Sequence, residues 1–252
     1  MMEINYKGGQ PMPPYVIEAL RYLGKVGVMS RPTWYQHFGT GTSQWKREQL
    51  LNLVNRGVLI RHSCNQLKGA WVLSDWSIDL LRDRGLSCVR PVPPHLLEHD
   101  EVVGTTLLAL KKHGVCKDWL SERELKMMES KDFIVEKKEN EIKYPDAVFK
   151  LIHEKNFWMV AIEYERTGKS TTRYRSILRQ YGKLQNLNQI LYVTEDSSIR
   201  KRIQGALKFI GNQELMGRIG LISACDWKRD PMAAPIYKVG KTTSFNQIFR
   251  MT

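Results

Sequence analysis

Residues 157–165, FWMVAIEYE, constrain the fold of this chain more than any other segment. Side chains of a strand alternate between two faces, and here both alternations are apolar as far as Ile162. Such a strand needs cover on both sides, which predicts a central position in a sheet packed against helices. The apolar run 157–162 is six residues long, too short to cross a membrane. Around it the pattern predicts a strand at 145–152 turned back at 153–156, a basic helix at 171–184 and a strand at 189–194. A helix at 198–210 and a last strand at 218–223 follow, while upstream lie a helix at 98–113, a strand near 119–125 and a charged loop. The order α-β-β-β-α-β is that of an α/β sandwich.

The first third of the chain has a different rhythm. After Pro11, Pro13 and Pro14, the spacing of Tyr15, Ile17, Leu20 and Leu23 predicts a helix ending at Gly24. A short helix fits 31–38. Thr42 or Ser43 can cap a third helix at 44–56, with Leu50, Leu51, Leu53 and Val54 as its buried face and Gly57 as its stop. Two short strands, 58–61 and 70–73, and a helix near 77–84 complete the segment. Three helices and a two-stranded wing make the order of a winged helix-turn-helix, whose third helix enters the major groove. Gln44, Trp45, Lys46, Arg47 and Gln49 are then the candidate DNA contacts on that helix, with Arg61 and Lys68 on the wing. Residues 89–94, with Pro91, Pro93 and Pro94, read as a linker, which divides the chain into 1–88 and 89–252.

Charge follows this division only in part. The net charge of +13 resolves into +6 over residues 1–90, −4 over 91–165 and +11 over 166–252. A basic surface concentrates polyanions, so double-stranded DNA is the first partner expected. Cys64, Cys88, Cys116 and Cys225 form no C-x-x-C pair, and MMEINYKGGQ has no apolar signal core; both features suit a reduced, cytoplasmic protein.

The acidic middle carries the chemistry. Asp146 opens one strand of the expected hairpin, and Glu163 and Glu165 end the next, two residues apart and so on one face. Three carboxylates on one face form a hard-oxygen site suited to Mg²⁺ or Mn²⁺. Such an ion polarises a phosphodiester and acidifies an attacking water. Arg173, Arg175 and Arg179, on the helix that follows, are placed to track phosphates.

Pro145-Asp146, then Glu163-Tyr164-Glu165 ahead of a basic helix, resembles the signature of the PD-(D/E)xK nuclease superfamily, with Glu165 at the usual lysine position. That resemblance implies a charge-supplying role for Lys169 and a further acidic residue, Glu98 in preference to Glu101, from the first helix. A longer succession of motifs resembles the replication-relaxation family of plasmids and integrative elements: a winged helix, Glu98-His99, residues 119–125 (WLSEREL), Pro145-Asp146-Ala147, residues 162–167 (IEYERT) and Tyr181. It implies a DNA-binding protein of a mobile element, either a divalent-metal-dependent endonuclease or nickase, or a non-catalytic initiator, relaxosome accessory protein or transcriptional regulator. Other replication, transfer or transposition proteins of the element would be its partners. No membrane is implied, and a homodimer is admissible.

Other chemistries fail on the residues. Gly168-Lys169-Ser170 has Glu163 where a P-loop needs glycine, and Gly240-Lys241-Thr242 has Pro235 there. The six histidines are dispersed, unlike the clustered ligands of a His-dependent relaxase. No G-x-S-x-G is present.

Overall fold

Helix α1 (Pro14–Val26) begins on a proline, which lacks the N–H that a first helical turn leaves unpaired. It ends at Gly27, whose φ of 85° lets its N–H close on Leu23 O. Gly24, expected as the stop, lies inside the helix. A Cβ there would stand 2.2 Å from the carbonyl oxygen of Ser87, so this glycine serves a close backbone approach, not termination. The computed structural model describes residues 4–62, 69–89, 92–138, 141–153 and 156–248. They form two compact units, Met1–Thr105 and Thr106–Thr252.

In the first unit, β1 (Met29–Ser30) leads into α2 (Arg31–Thr33), which continues as a π-helical turn over Trp34–Phe38. Thr42 caps α3 (Ser43–Asn55) by accepting the Trp45 N–H. Leu50 and Leu53 are buried as expected, but Leu51 is 51% exposed because it points away from them around the helix. Strands β2 (Leu59–His62) and β3 (Ala70–Leu73) pair antiparallel, and β1 adds a third strand on the far side of β3. Helix α4 (Asp75–Asp83) follows with Ser74 as its cap. Of the expected linker, Val89 is attached to this unit. Val89 donates its N–H to Gly24 O at 2.8 Å, and Val89 and Val92 are buried.

The unit extends beyond residue 88, where the sequence pattern ends it, because α5 (Leu97–Lys112) supplies the buried Glu101. Its carboxylate accepts the Ser30 N–H at 2.8 Å and the hydroxyls of Thr33 and Tyr22. Burial raises the Glu101 carboxyl above its ordinary range, and hydrogen bonds from Ser30 and Thr33 partly offset that. Glu101 is therefore a structural anchor.

The second unit takes the end of α5 and then β4 (Cys116–Ser121). The strand expected near 119–125 stops at Ser121, whose capping box with Glu124 starts α6 (Glu122–Met127). The expected charged loop contains a two-stranded ribbon, β5 (Glu136–Lys138) and β6 (Glu141–Lys143). Next come β7 (Ala147–His153), β8 (Asn156–Glu165), α7 (Thr171–Lys183), β9 (Gln189–Thr194) and α8 (Ser197–Ile210). After these the chain forms α9 (Gln213–Arg218), β10 (Ile219–Ser223), α10 (Ala224–Arg229), β11 (Ile236–Lys238), β12 (Lys241–Thr243) and α11 (Phe245–Ile248). Thus β10 is not the last strand.

The sheet is mixed, in the order β12-β11-β10-β9-β8-β7-β4. Strand β8 lies inside it, antiparallel to β7 and parallel to β9. Ala161, Ile190, Tyr192 and Leu221 pack with Tyr174, Ile177, Leu178 and Tyr181 of α7 and with Ile199, Ile203 and Leu207 of α8. Val160, Ile162, Leu191 and Val193, at the alternate positions, are buried as well, as two-sided cover requires. Each such aliphatic side chain contributes roughly 1.5–3 kcal/mol through burial.

Candidate functional site

The β7–β8 ladder ends at Ala147 opposite Ile162. One further step would set Asp146 opposite Glu163, but the backbone pairing stops there. Instead Asp146 Oδ2 accepts the Tyr164 N–H at 2.6 Å, while the Asp146 carbonyl accepts the Glu122 N–H at 2.8 Å. Strand β9 still pairs with β8 on its other side as far as Glu165 opposite Thr194. The three carboxylates predicted from spacing therefore gather where β7 leaves β8.

Glu163 and Glu165 are 2% and 3% exposed, and buried carboxylates need compensation. Lys143 Nζ, at the end of β6, lies 2.9 Å from Glu163 Oε2, and the Tyr181 hydroxyl of α7 donates to the other oxygen. Lys169, in the loop before α7, pairs with Glu165 Oε2. The Lys169 N–H also reaches the Tyr174 hydroxyl at 3.2 Å. Of the buried polar atoms that lack a hydrogen-bond partner among the described residues, two belong to this cluster: Glu165 Oε1 and the Tyr192 hydroxyl.

Electrostatics at Glu163 are unbalanced. Burial, helped by the charges of Asp146 and Glu165, pushes its carboxyl up to about 7 despite the Lys143 ammonium. Burial alone would pull Lys143 down, but Glu163, Asp146 and Glu165 together hold it above the ordinary lysine value. Both shifts express one excess: three carboxylates face two ammonium groups. The phenols of Tyr181 and Tyr192 are pushed well up by burial and then by Glu163, so they remain hydroxyl donors.

Among the described residues, no group of three His, Cys, Asp or Glu side chains is set as a metal cage. The reason is local. Asp146 is turned toward the Tyr164 backbone, and Glu163 and Glu165 each bond a lysine. The orphaned Glu165 Oε1 is nevertheless an oxygen with unspent capacity, and a cation is the natural partner for it. Glu98 lies in the first turn of α5 within the first unit, and the three carboxylates lie in the second.

Lys143 has no place in the sequence-based reading. Residues 136–143 are dominated by charge, and no alternation marks the ribbon that delivers this lysine. Its one signal is proximity to Asp146, three residues on. Tyr192 reads from sequence as an ordinary strand residue.

The expected DNA contacts separate into presented and engaged side chains. Gln44, Trp45 and Arg47 are exposed on α3, as is Arg61 on β2, and the Gln44 amide bonds Glu48 at 3.1 Å. Lys46 is turned inward, its Nζ 2.6 Å from Tyr35 O. Gln49 is buried, and its amide bonds Thr40 through both the backbone and the hydroxyl, so it offers nothing to a base edge. Lys68 lies outside the described residues. On α7, Arg173 is paired with Glu136, Arg175 lies 3.4 Å over the Phe209 ring, and Arg179 is exposed. Arg173 and Arg175 are about 200° apart around a helix, so the three do not make one track; Arg175 and Arg179, four apart, share a side.

The chain matches no protein-family model, no curated protein and no solved structure.

Proposed function

We propose that the chain is a DNA-binding protein of a mobile genetic element and that its second unit carries a divalent-metal-dependent DNA endonuclease or nickase site. In this reading the first unit is a winged helix-turn-helix built on α1, α2, α3 and the β2–β3 hairpin. The second is a PD-(D/E)xK-like domain, and the motif order resembling the replication-relaxation family supports both assignments. The observation that carries the proposal is the carboxylate cluster at the β7–β8 split, with a buried, donorless oxygen on Glu165. Asp146, Glu163 and Glu165 would hold Mg²⁺ or Mn²⁺. When bound, the ion would polarise the phosphodiester and acidify the attacking water.

The protein's own groups have separate tasks. Tyr181 fixes the rotamer of Glu163, and Asp146 holds the end of β8 through Tyr164. Lys143 and Lys169 balance the carboxylates, and either ammonium can turn to a phosphate oxygen where Glu165 replaces the usual lysine. Burial strengthens each of these interactions.

The test is conversion of supercoiled plasmid to open circles in Mg²⁺ or Mn²⁺. Wild-type protein nicks cognate DNA, and Asp146→Asn, which keeps an acceptor for the Tyr164 N–H, removes nicking. Failure of the wild type on DNA that it binds, or nicking unchanged in both Asp146→Asn and Glu165→Gln, rejects the nuclease. The pairing of Glu163 and Glu165 with lysines favours a second reading, a non-catalytic DNA-binding initiator, accessory protein or regulator. Sequence-specific binding indifferent to metal and to Glu163→Gln is its signature.

A further inference from the structure

A second candidate site lies wholly within the first unit. A pocket of about 370 Å³ opens between α3, the start of α2 and the β2–β3 hairpin. Three guanidinium groups from three elements line it: Arg31 of α2, Arg47 of α3 and Arg61 of β2. All three residues are exposed, and among the described residues no carboxylate pairs with any of them. No acidic side chain lines the pocket. Three like charges around one cavity repel one another, so the arrangement is stabilised by an anion more than by water. Guanidinium groups in particular suit phosphate, which they can bind through two parallel hydrogen bonds.

The rest of the lining is apolar and aromatic. Tyr35 and Trp71 contribute, and Leu51 leaves 51% of its surface open to solvent at the site. An inorganic anion would leave this part of the cavity unfilled. The volume falls within the range of small-molecule pockets, and a flat base on a phosphorylated sugar fits both its size and its two-part character. We propose that this pocket binds a nucleoside 5′-monophosphate, with the phosphate on Arg31, Arg47 and Arg61 and the base over the apolar lining. The proposal goes beyond the DNA and nuclease reading, since it concerns a free ligand. Arg47 and Arg61 are also expected to meet DNA, so an occupied pocket would compete with the duplex and give the first unit a nucleotide-sensitive grip.

Isothermal titration of the full chain with adenosine, guanosine, cytidine and thymidine 5′-monophosphates, without DNA or metal, tests it. At least one nucleotide should bind saturably with Kd of about 1 mM or tighter. Arg31→Ala and Arg61→Ala, both at exposed positions, should each weaken that binding about tenfold, and Leu51→Asp should weaken it at least as much. A circular-dichroism melt unchanged from wild type shows that the variants fold. No saturable binding by any of the four overturns the proposal. Equal binding of the parent nucleoside, equal binding of inorganic phosphate, or affinity unchanged in the three variants overturns it as well. Because DNA is absent, this result stands or falls separately from duplex binding and from nicking.

Discussion

Glu163 sits where a sheet and a helix would ordinarily meet through aliphatic side chains. Its charge is tolerated because Lys143 and Tyr181 take both oxygens, yet its carboxyl is still raised to about 7 by burial and by Asp146 and Glu165. The sign of the pH effect follows. Between the ordinary glutamate value and about 7, the folded protein binds a proton that the unfolded chain has released. Stability due to Glu163 is therefore fully present in acid and is lost as pH rises through that window, by on the order of 3 kcal/mol at most. Urea unfolding of the metal-free protein should show this decline between about pH 5 and 7.5. Tyr181→Phe removes a donor to the carboxylate, so it should cost more at the upper pH than at the lower. A profile that rises over this interval, or a Tyr181→Phe cost equal at both ends, contradicts the assignment.

Elements with a simple period were legible in the sequence, whereas features decided by contact with another segment were not. Strand β8 shows its two-sided burial in its residues, and its terminal Glu163 and Glu165 share a face by alternation alone. Helices α3, α7 and α8 begin within a residue of their expected positions because caps and apolar spacing are local signals. The β5–β6 ribbon, with the Lys143 that it delivers, has no such local mark. Gly24 shows the same limit from the other side. As a glycine after an apolar spacing it reads as a helix stop, but its function is to admit the Ser87 carbonyl, held nearby by the Val89–Gly24 hydrogen bond. Gly24→Ala gains helix propensity of roughly 1 kcal/mol yet places a methyl group inside a backbone oxygen. The clash should dominate and lower stability by about 1–3 kcal/mol. Thermal unfolding checks this, and an unchanged or raised Tm means that the 85–89 segment is free to move off α1.

At the scale of the whole molecule, the net charge of +13 overstates what a polyanion would meet. Some of the cations are already engaged: Lys143 and Lys169 by the carboxylates, Arg173 by Glu136 and Lys46 by a backbone carbonyl. Arg61 and Arg179 are exposed, and among the described residues neither has a carboxylate partner. If DNA is the ligand, each phosphate neutralised releases counterions, and the slope of log K against log salt reports how many contacts are made. Replacing Arg61 or Arg179 by Ala should reduce that slope by about one. Replacing Lys46 or Arg173 should change it much less, because their partners must first be left unpaired. Fluorescence anisotropy with a labelled duplex between about 50 and 200 mM salt resolves a difference of that size. Equal losses at all four positions would mean that DNA pulls the Arg173 and Lys46 side chains from their partners. No loss at Arg61 or Arg179 would remove both from the DNA-contacting surface.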